Sequence, residues 1–204
     1  MLGRPDYKHW LFMLGTIVWT QKLDQLEGLN LSKAGIGDTD KGVRNTCIMM
    51  KGGSKDAPLQ LLDKVHRSDI NEISENAWVG KFGNKIQVSK VFEALDSRKN
   101  CLFKFDNLTI CTDICLDHHP QVKVAQKTLV DLALLGQKEK VDIHFVIACG
   151  MGIKTESLAC KQDGYLIRND GNGGNHSIPF SQCVLINFMK KDMIEFKNNA
   201  GQSL

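Results

Sequence analysis

Cys115 is the side chain best placed in this sequence to do chemistry. It stands in the stretch NLTICTDICLDHHP, residues 107–120. Leu108, Thr109, Ile110, Thr112 and Ile114 favour a strand, and Pro120 suits the first position of a helix, where its missing N–H would be orphaned anyway. Cys115 therefore falls at or just past the C-terminal end of a strand, ahead of a turn into a helix. An α/β protein exposes nucleophiles at such a place, and a helix N-terminus nearby favours a thiolate. The plainer reading is a small core residue, since cysteines on strands are usually that. A metal is the other reading, because Cys111, Cys115, His118 and His119 suit zinc. On a strand, however, Cys111 and Cys115 would sit about 13 Å apart, whereas zinc ligands need their sulfurs within about 4 Å. Lys64, in DKVHRSD at 63–69, is the second candidate. A lysine near a nucleophilic cysteine lowers the thiol pKa and steadies an oxyanion. The same run also reads as a solvated charged surface.

The elements that must position these residues follow from hydrophobic patterning. Trp10 to Trp19 (WLFMLGTIVW) reads as a buried strand with Gly15 at a bulge or close approach. Residues 21–42 are Gly-rich and polar, hence a loop. Gly35-Ile-Gly37 lacks the rest of a dinucleotide fingerprint. Asn45 to Met50 is a second strand, ended by Lys51-Gly52-Gly53, and Leu59 to Leu62 is a short third. Residues 69–100 form a long excursion with some helix. Cys101–Phe105 and Asn107–Cys115 pair as a hairpin across Asp106-Asn107. A helix is expected from about Pro120 to Leu135, with Val122, Ala125, Leu129, Leu132 and Ala133 on one face and Gly136 as C-cap. Val141 to Cys149 is another buried strand. Thr155 to Gln162 reads as a short helix capped by Thr155. Tyr165–Arg168, Cys183–Phe188 and Met193–Phe196 read as strands, and 197–204 as a frayed tail. Strands dominate, with helices covering a face: an α/β or α+β layered domain.

The 204 residues are 42% hydrophobic and 24% charged, the composition of a globular chain with a real core. A net charge of +3 without a block of like charge gives no footprint for nucleic acid. The seven scattered cysteines read as reduced thiols of a cytoplasmic protein, not as a disulfide framework. His9 to Thr20, preceded by Arg4 and Lys8, lacks a clean signal-peptide cleavage site and is too short to span a bilayer.

Four motifs in order carry a family resemblance. Ile114-Cys115-Leu116-Asp117 resembles the catalytic-cysteine strand of the carbon–nitrogen hydrolase (nitrilase) superfamily. Gly15-Thr16-Ile17 resembles that family's strand ending in G-[ST]-I, Asn45-Thr46 its NT strand, and Lys64-Val65-His66 the K-x-H at its catalytic lysine. Val141 to Met151 and Ala159 to Gly171 resemble the segments that follow the cysteine. The resemblance covers nearly the whole chain. It implies an αββα four-layer sandwich over residues 1–196 with a flexible tail at 197–204, and a cofactor-free homodimer. It also implies a Glu-Lys-Cys triad acting on an amide or nitrile through a thioester-type intermediate, with Cys115 as nucleophile and Lys64 as oxyanion partner.

The general-base glutamate finds no counterpart. Asp6 follows Pro5, but too few residues separate it from Gly15 to hold the family's intervening helix. The expectation is therefore a domain lacking the family's first strands, first helix and base. Losing an early strand would bare a sheet edge and an apolar face. Losing the base would remove a proton-transfer contribution of about 10²–10⁴ in rate. Glu72, Glu75 and Glu93 could supply a supporting carboxylate, or be plain surface charge. Two alternatives stand beside the hydrolase: an inactive remnant or interaction domain of the same fold, and a zinc-binding domain.

Overall fold

The computed structural model describes residues 5–22, 41–53, 59–66, 101–137, 139–170, 181–187 and 192–195. The chain divides into two compact units, Met1–Ser97 and Arg98–Leu204. The architecture is mixed α/β, with two sheets and, among the described residues, one α-helix. No helix among those residues is long and apolar enough to cross a membrane. The excursion at 69–100, with Glu72, Glu75 and Glu93, lies outside the described residues, as does the tail at 197–204.

The first unit is an antiparallel sheet in the order β1-β2-β3: β1 (Leu11–Lys22), β2 (Lys41–Lys51) and β3 (Leu59–Asp63). Gly15 takes φ +77° where the β1–β2 register shifts between Met13 and Thr16, so the expected bulge is present. A glycine supplies the left-handed conformation that a bulge of this kind uses. The expectation of a buried β1 is corrected: Trp10, Leu14 and Ile17 are all more than half exposed. Strand side chains alternate between two faces. Cys47, Met49 and Leu62 are buried on one face, whereas Ile17 and Leu61 on the other are exposed. An unbroken apolar run cannot distinguish one covered face from two.

The second unit is a six-stranded sheet in the order β4-β5-β6-β7-β8-β9. These strands are β4 (Leu102–Phe105), β5 (Leu108–Ile114), β6 (Val141–Ala148), β7 (Cys160–Asp170), β8 (Ser181–Asn187) and β9 (Asp192–Glu195). The β4–β5 hairpin turns at Asp106, φ 52°, as Asp106-Asn107 foretold. Strands β5, β6 and β7 run parallel, flanked by antiparallel pairs. Helix α1 (Val124–Leu134) makes the β5–β6 crossover.

Helix α1 begins four residues later than Pro120. The 119 carbonyl accepts the N–H groups of Val122 (2.8 Å) and Lys123 (3.0 Å), and Lys123 is left-handed at φ 53°. A left-handed non-glycine residue ends helical propagation, so Pro120 belongs to the preceding turn. The far end is as expected. Gly136, at φ +78°, donates to the Ala133 carbonyl (3.0 Å) and Gln137 to that of Leu132 (2.9 Å). This pair of bonds closes a Schellman motif.

The helix expected over Thr155–Gln162 is also corrected. Only a 3-10 turn forms, at Thr155–Ser157, and β7 starts at Cys160, five residues before the strand read from sequence. The Ala159 N–H, which a helix would direct to the Thr155 carbonyl, donates instead to His144. The core lies where α1 meets the sheet, around Cys111, Ala125, Val141, Val146, Cys160 and Leu166.

Candidate functional site

Cys115 opens a 3-10 turn, Cys115–His118, directly after the carboxyl end of β5. Its φ is +51°. A non-glycine residue rarely adopts the left-handed region, and it persists there only where its surroundings over-determine it. The side chain is 6% exposed. The carboxyl ends of parallel strands are where open α/β sheets build ligand sites, so the strand-to-turn position expected for Cys115 is found. The α-helix, however, starts nine residues further on instead of next to it.

What over-determines the turn is a buried cluster on its two flanks. Asp113, the last but one residue of β5, is wholly buried. Its Oδ2 lies 3.1 Å from His118 Nδ1 and 3.0 Å from His144 Nε2, and its Oδ1 accepts the Ala125 N–H at 3.0 Å. The outer nitrogen of each ring is also committed. His118 Nε2 accepts the Lys154 N–H at 3.1 Å, and His144 Nδ1 accepts the Ala159 N–H at 3.3 Å. A nitrogen that accepts carries no proton, so each ring's proton sits on the nitrogen facing Asp113. The bonds thus assign neutral imidazoles of opposite tautomer, Nδ1–H for His118 and Nε2–H for His144. The rings meet edge to face, centroids 5.2 Å apart.

The electrostatics agree with this proton arrangement. Burial alone opposes ionisation of Asp113, but the imidazoles of His144 and His118 outweigh it and hold the carboxyl below the ordinary carboxylate range. Burial pushes the His118 imidazole below its ordinary 6.5; Asp113 opposes that shift, while His144 and Lys154 add to it. Asp113 also satisfies an orphan donor in the first turn of α1, the role an N-cap side chain plays locally. One carboxylate therefore ties together β5, the Cys115 turn, β6 and α1.

The ligand atoms of Asp113, His118 and His144 lie within 4.8 Å of one another, a spacing compatible with a metal. The hydrogen bonds argue otherwise. An ion at the centre would need lone pairs on His118 Nδ1 and His144 Nε2, forcing protons onto the outer nitrogens, where each would oppose a backbone N–H. The donor set fits a closed hydrogen-bonded network and does not fit a cation. Nor do the ligands considered from sequence assemble: among the described residues Cys111, Cys115, His118 and His119 form no ligand set. Cys111 is packed in the core, and the His119 ring accepts the Gln121 N–H at 3.3 Å.

A second strap holds the same neighbourhood. Arg168 Nε donates to the Met151 carbonyl at 2.7 Å, its guanidinium pairs with Asp170, and Asp170 accepts the Gly150 N–H at 3.0 and 3.1 Å. The segment between β6 and β7 is pinned at its start by this pair and further along by the two histidines.

Burial raises three thiols of this unit, Cys101 to about 12, Cys160 to about 11, and Cys111 well above the ordinary thiol value. Both nitrogens of His118 and of His144 are engaged elsewhere, so neither imidazole forms a dyad with Cys115.

Lys64 belongs to the first unit, just after β3. It is 2% exposed, and its N–H donates to the Asn45 carbonyl at 2.8 Å. Lysine is almost never fully buried without a specific role or partner, so the solvated-surface reading of this residue does not hold. Asn45 is itself buried, and its Oδ1 has no hydrogen-bond partner among the described residues. Asp6, the faint echo of the missing acid, is exposed in a 3-10 turn at Pro5–Tyr7.

Sequence reasoning missed Asp113 and His144. A signal was present: Asp113 is the one carboxylate in TICTDIC and His144 the one imidazole in VDIHFVIAC, and a buried polar group must find a partner. Comparison with protein-family models, curated proteins and solved structures finds no match.

Proposed function

We propose that the chain is a carbon–nitrogen hydrolase-like protein with Cys115 as its nucleophile. The observation that carries this reading is the left-handed Cys115 at the carboxyl end of a parallel strand, set in a turn that buried groups hold on both sides. In the reaction Cys115 Sγ would attack the carbon of an amide. The amine would leave with the proton lost by the thiol, giving a thioester, and water would then release the acid and restore the thiol. A nitrile would pass through a thioimidate instead. That both neighbouring imidazoles are committed elsewhere favours a mechanism whose base is a carboxylate. By the resemblance of Lys64-Val65-His66, Lys64 would be the oxyanion partner.

The αββα sandwich belongs to the same proposal. Two of its supports are that β5, β6 and β7 carry apolar residues on both faces, and that α1 covers one of them. Ile110, Ile143 and Ile167 lie opposite the face bearing Cys111, Val146 and Leu166. Such a sheet needs a layer on each side. A cytoplasmic location is supported by Cys47, Cys101, Cys111, Cys115, Cys149 and Cys160, all free thiols. The small-molecule substrate and the homodimer rest on the resemblance.

One observation favours a second reading, a non-catalytic domain of this fold: Cys115 is nearly closed to solvent, and both imidazoles beside it are fully engaged. Alkylation mapped by mass spectrometry separates the two. The hydrolase reading expects Cys115 to react with iodoacetamide at pH 7.5 at least tenfold faster than Cys101, whose thiol is pushed up to about 12. It further expects that Cys115→Ala abolishes turnover of an amide and nitrile panel. Equal labelling of the two cysteines would sink the hydrolase reading.

A further inference from the structure

We propose that Asp113, His118 and His144 are positioning residues for Cys115. They are a buried carboxylate and two neutral imidazoles of fixed, opposite tautomer that hold the 115–118 turn at neutral pH and release it when His118 takes up a proton. Its functional meaning rests on the reading of Cys115 as nucleophile; the lock itself stands on geometry.

Protonation has one place to go on each ring, because the nitrogen facing Asp113 already carries a proton. On His118 that place is Nε2, which accepts the Lys154 N–H at 3.1 Å. A second proton there would set N–H against N–H and cost the Lys154 amide its acceptor at a part-buried contact whose histidine side is fully enclosed. A buried donor left without a partner is expensive, whereas the same donor exposed to water is not. The least costly response is for the segment carrying Lys154 to move away and let water in.

The charges around the ring determine where this happens. His118 is faced by Asp113 from β5, by His144 from β6 and by Lys154 from the segment after β6. Asp117 lies buried in its own turn, and α1 contributes the Ala125 N–H on Asp113. Asp113 alone favours the charged ring, while burial, His144 and Lys154 oppose it and keep the lock closed at neutral pH. Release frees the two restraints on Cys115 nearest in sequence, since Asp113 and His118 flank it by two and three residues.

The test uses hydrogen exchange on the whole chain at pH 7.5 and 5.5, corrected for the intrinsic pH dependence of exchange. The Lys154 amide should lose protection by roughly tenfold or more at the lower pH, the scale expected for one lost buried hydrogen bond. The Val146 amide, in the middle of β6, should keep its protection. Unchanged protection at Lys154, or equal loss at Val146, overturns the proposal.

His118→Asn gives an independent check. It keeps a side-chain N–H for Asp113 near the place of Nδ1 and deletes the acceptor for Lys154. At pH 7.5 this variant should show the low Lys154 protection without acid, and its Cys115 should alkylate roughly tenfold faster than in the wild type with Cys101 and Cys160 unchanged. If all three cysteines speed up together, the cluster is a general stabiliser and the positioning role fails. Should the variant not fold, the wild-type exchange comparison decides alone. The wild-type ratio of Cys115 to Cys101 labelling tests the nucleophile and is separate from both readouts.

Discussion

Cys115 holds a backbone conformation that favours a residue without a side chain. At φ +51°, a Cβ costs on the order of 1 kcal/mol relative to glycine. Cys115→Gly should therefore be more stable than Cys115→Ala by about 1 kcal/mol, reversing the order found at most strand ends. Paired urea denaturations would check this. An alanine variant equal to or more stable than the glycine variant would mean that the turn is not strained. At this scale the sequence was half legible. Cys115 showed itself by its place between strand and turn, because local patterning determines such boundaries. Asp113 and His144 did not, because their meaning depends on a pairing across 31 residues that no local pattern encodes.

Elements were legible where local chemistry specified them and obscure where long-range bonds did. The bulge at Gly15, the Asp106 turn and the Gly136 cap all follow from residues that tolerate positive φ. The start of α1 and the missing 155–162 helix do not, since the Ala125 and Ala159 N–H groups are satisfied by side chains from other elements. Two glycines make the same contrast testable. Gly15, at φ +77°, has open space where a Cβ would stand, so Gly15→Ala should cost only the backbone strain, about 1 kcal/mol. A Cβ at Gly52 would lie 2.3 Å from the Tyr7 carbonyl oxygen and 2.8 Å from Phe12. Gly52→Ala must therefore displace the Pro5–Tyr7 turn and disturb the edge-to-face contacts of Tyr7 with Trp10 and Phe12. A near-ultraviolet circular dichroism change in Gly52→Ala, absent in Gly15→Ala, is the expected result.

For the whole molecule, composition and periodicity were enough for a mixed α/β architecture, because the alternation of strands, turns and one amphipathic helix is written locally. The division into two units was not visible, since 97 and 98 lie inside a stretch with no distinctive composition. Global stability carries the signature of the buried cluster. The folded His118 titrates below its ordinary 6.5, so the unfolded chain binds the proton first. Stability from this group is complete above about pH 6.5 and declines as pH falls through the folded value. Asp113 titrates below its ordinary 3.8, so its contribution persists until lower pH and is then lost in turn. Denaturation midpoints should fall between pH 7 and 5, and His118→Asn should flatten that slope. An unchanged slope in the variant would assign the acid sensitivity to other groups.

The crossover from β6 to β7 is gripped through its main chain, besides the packing of Met151, Ile153, Leu158 and Ala159 on the core. Gly150, Lys154 and Ala159 offer N–H groups and Met151 a carbonyl, while the side chains that grip them, Asp170, His118, His144 and Arg168, come from elsewhere. Every residue type but proline presents the same N–H group. Gly150 sits at φ +80° and Met151 and Ile153 pack on the core, so descendants of this sequence could change Gly152 and Lys154 most readily, yet could scarcely insert or delete a residue. A shift of a single position would offer each gripping side chain the wrong peptide unit. Divergence here should appear as drift at those two letters in a span of fixed length, the inverse of an ordinary surface loop.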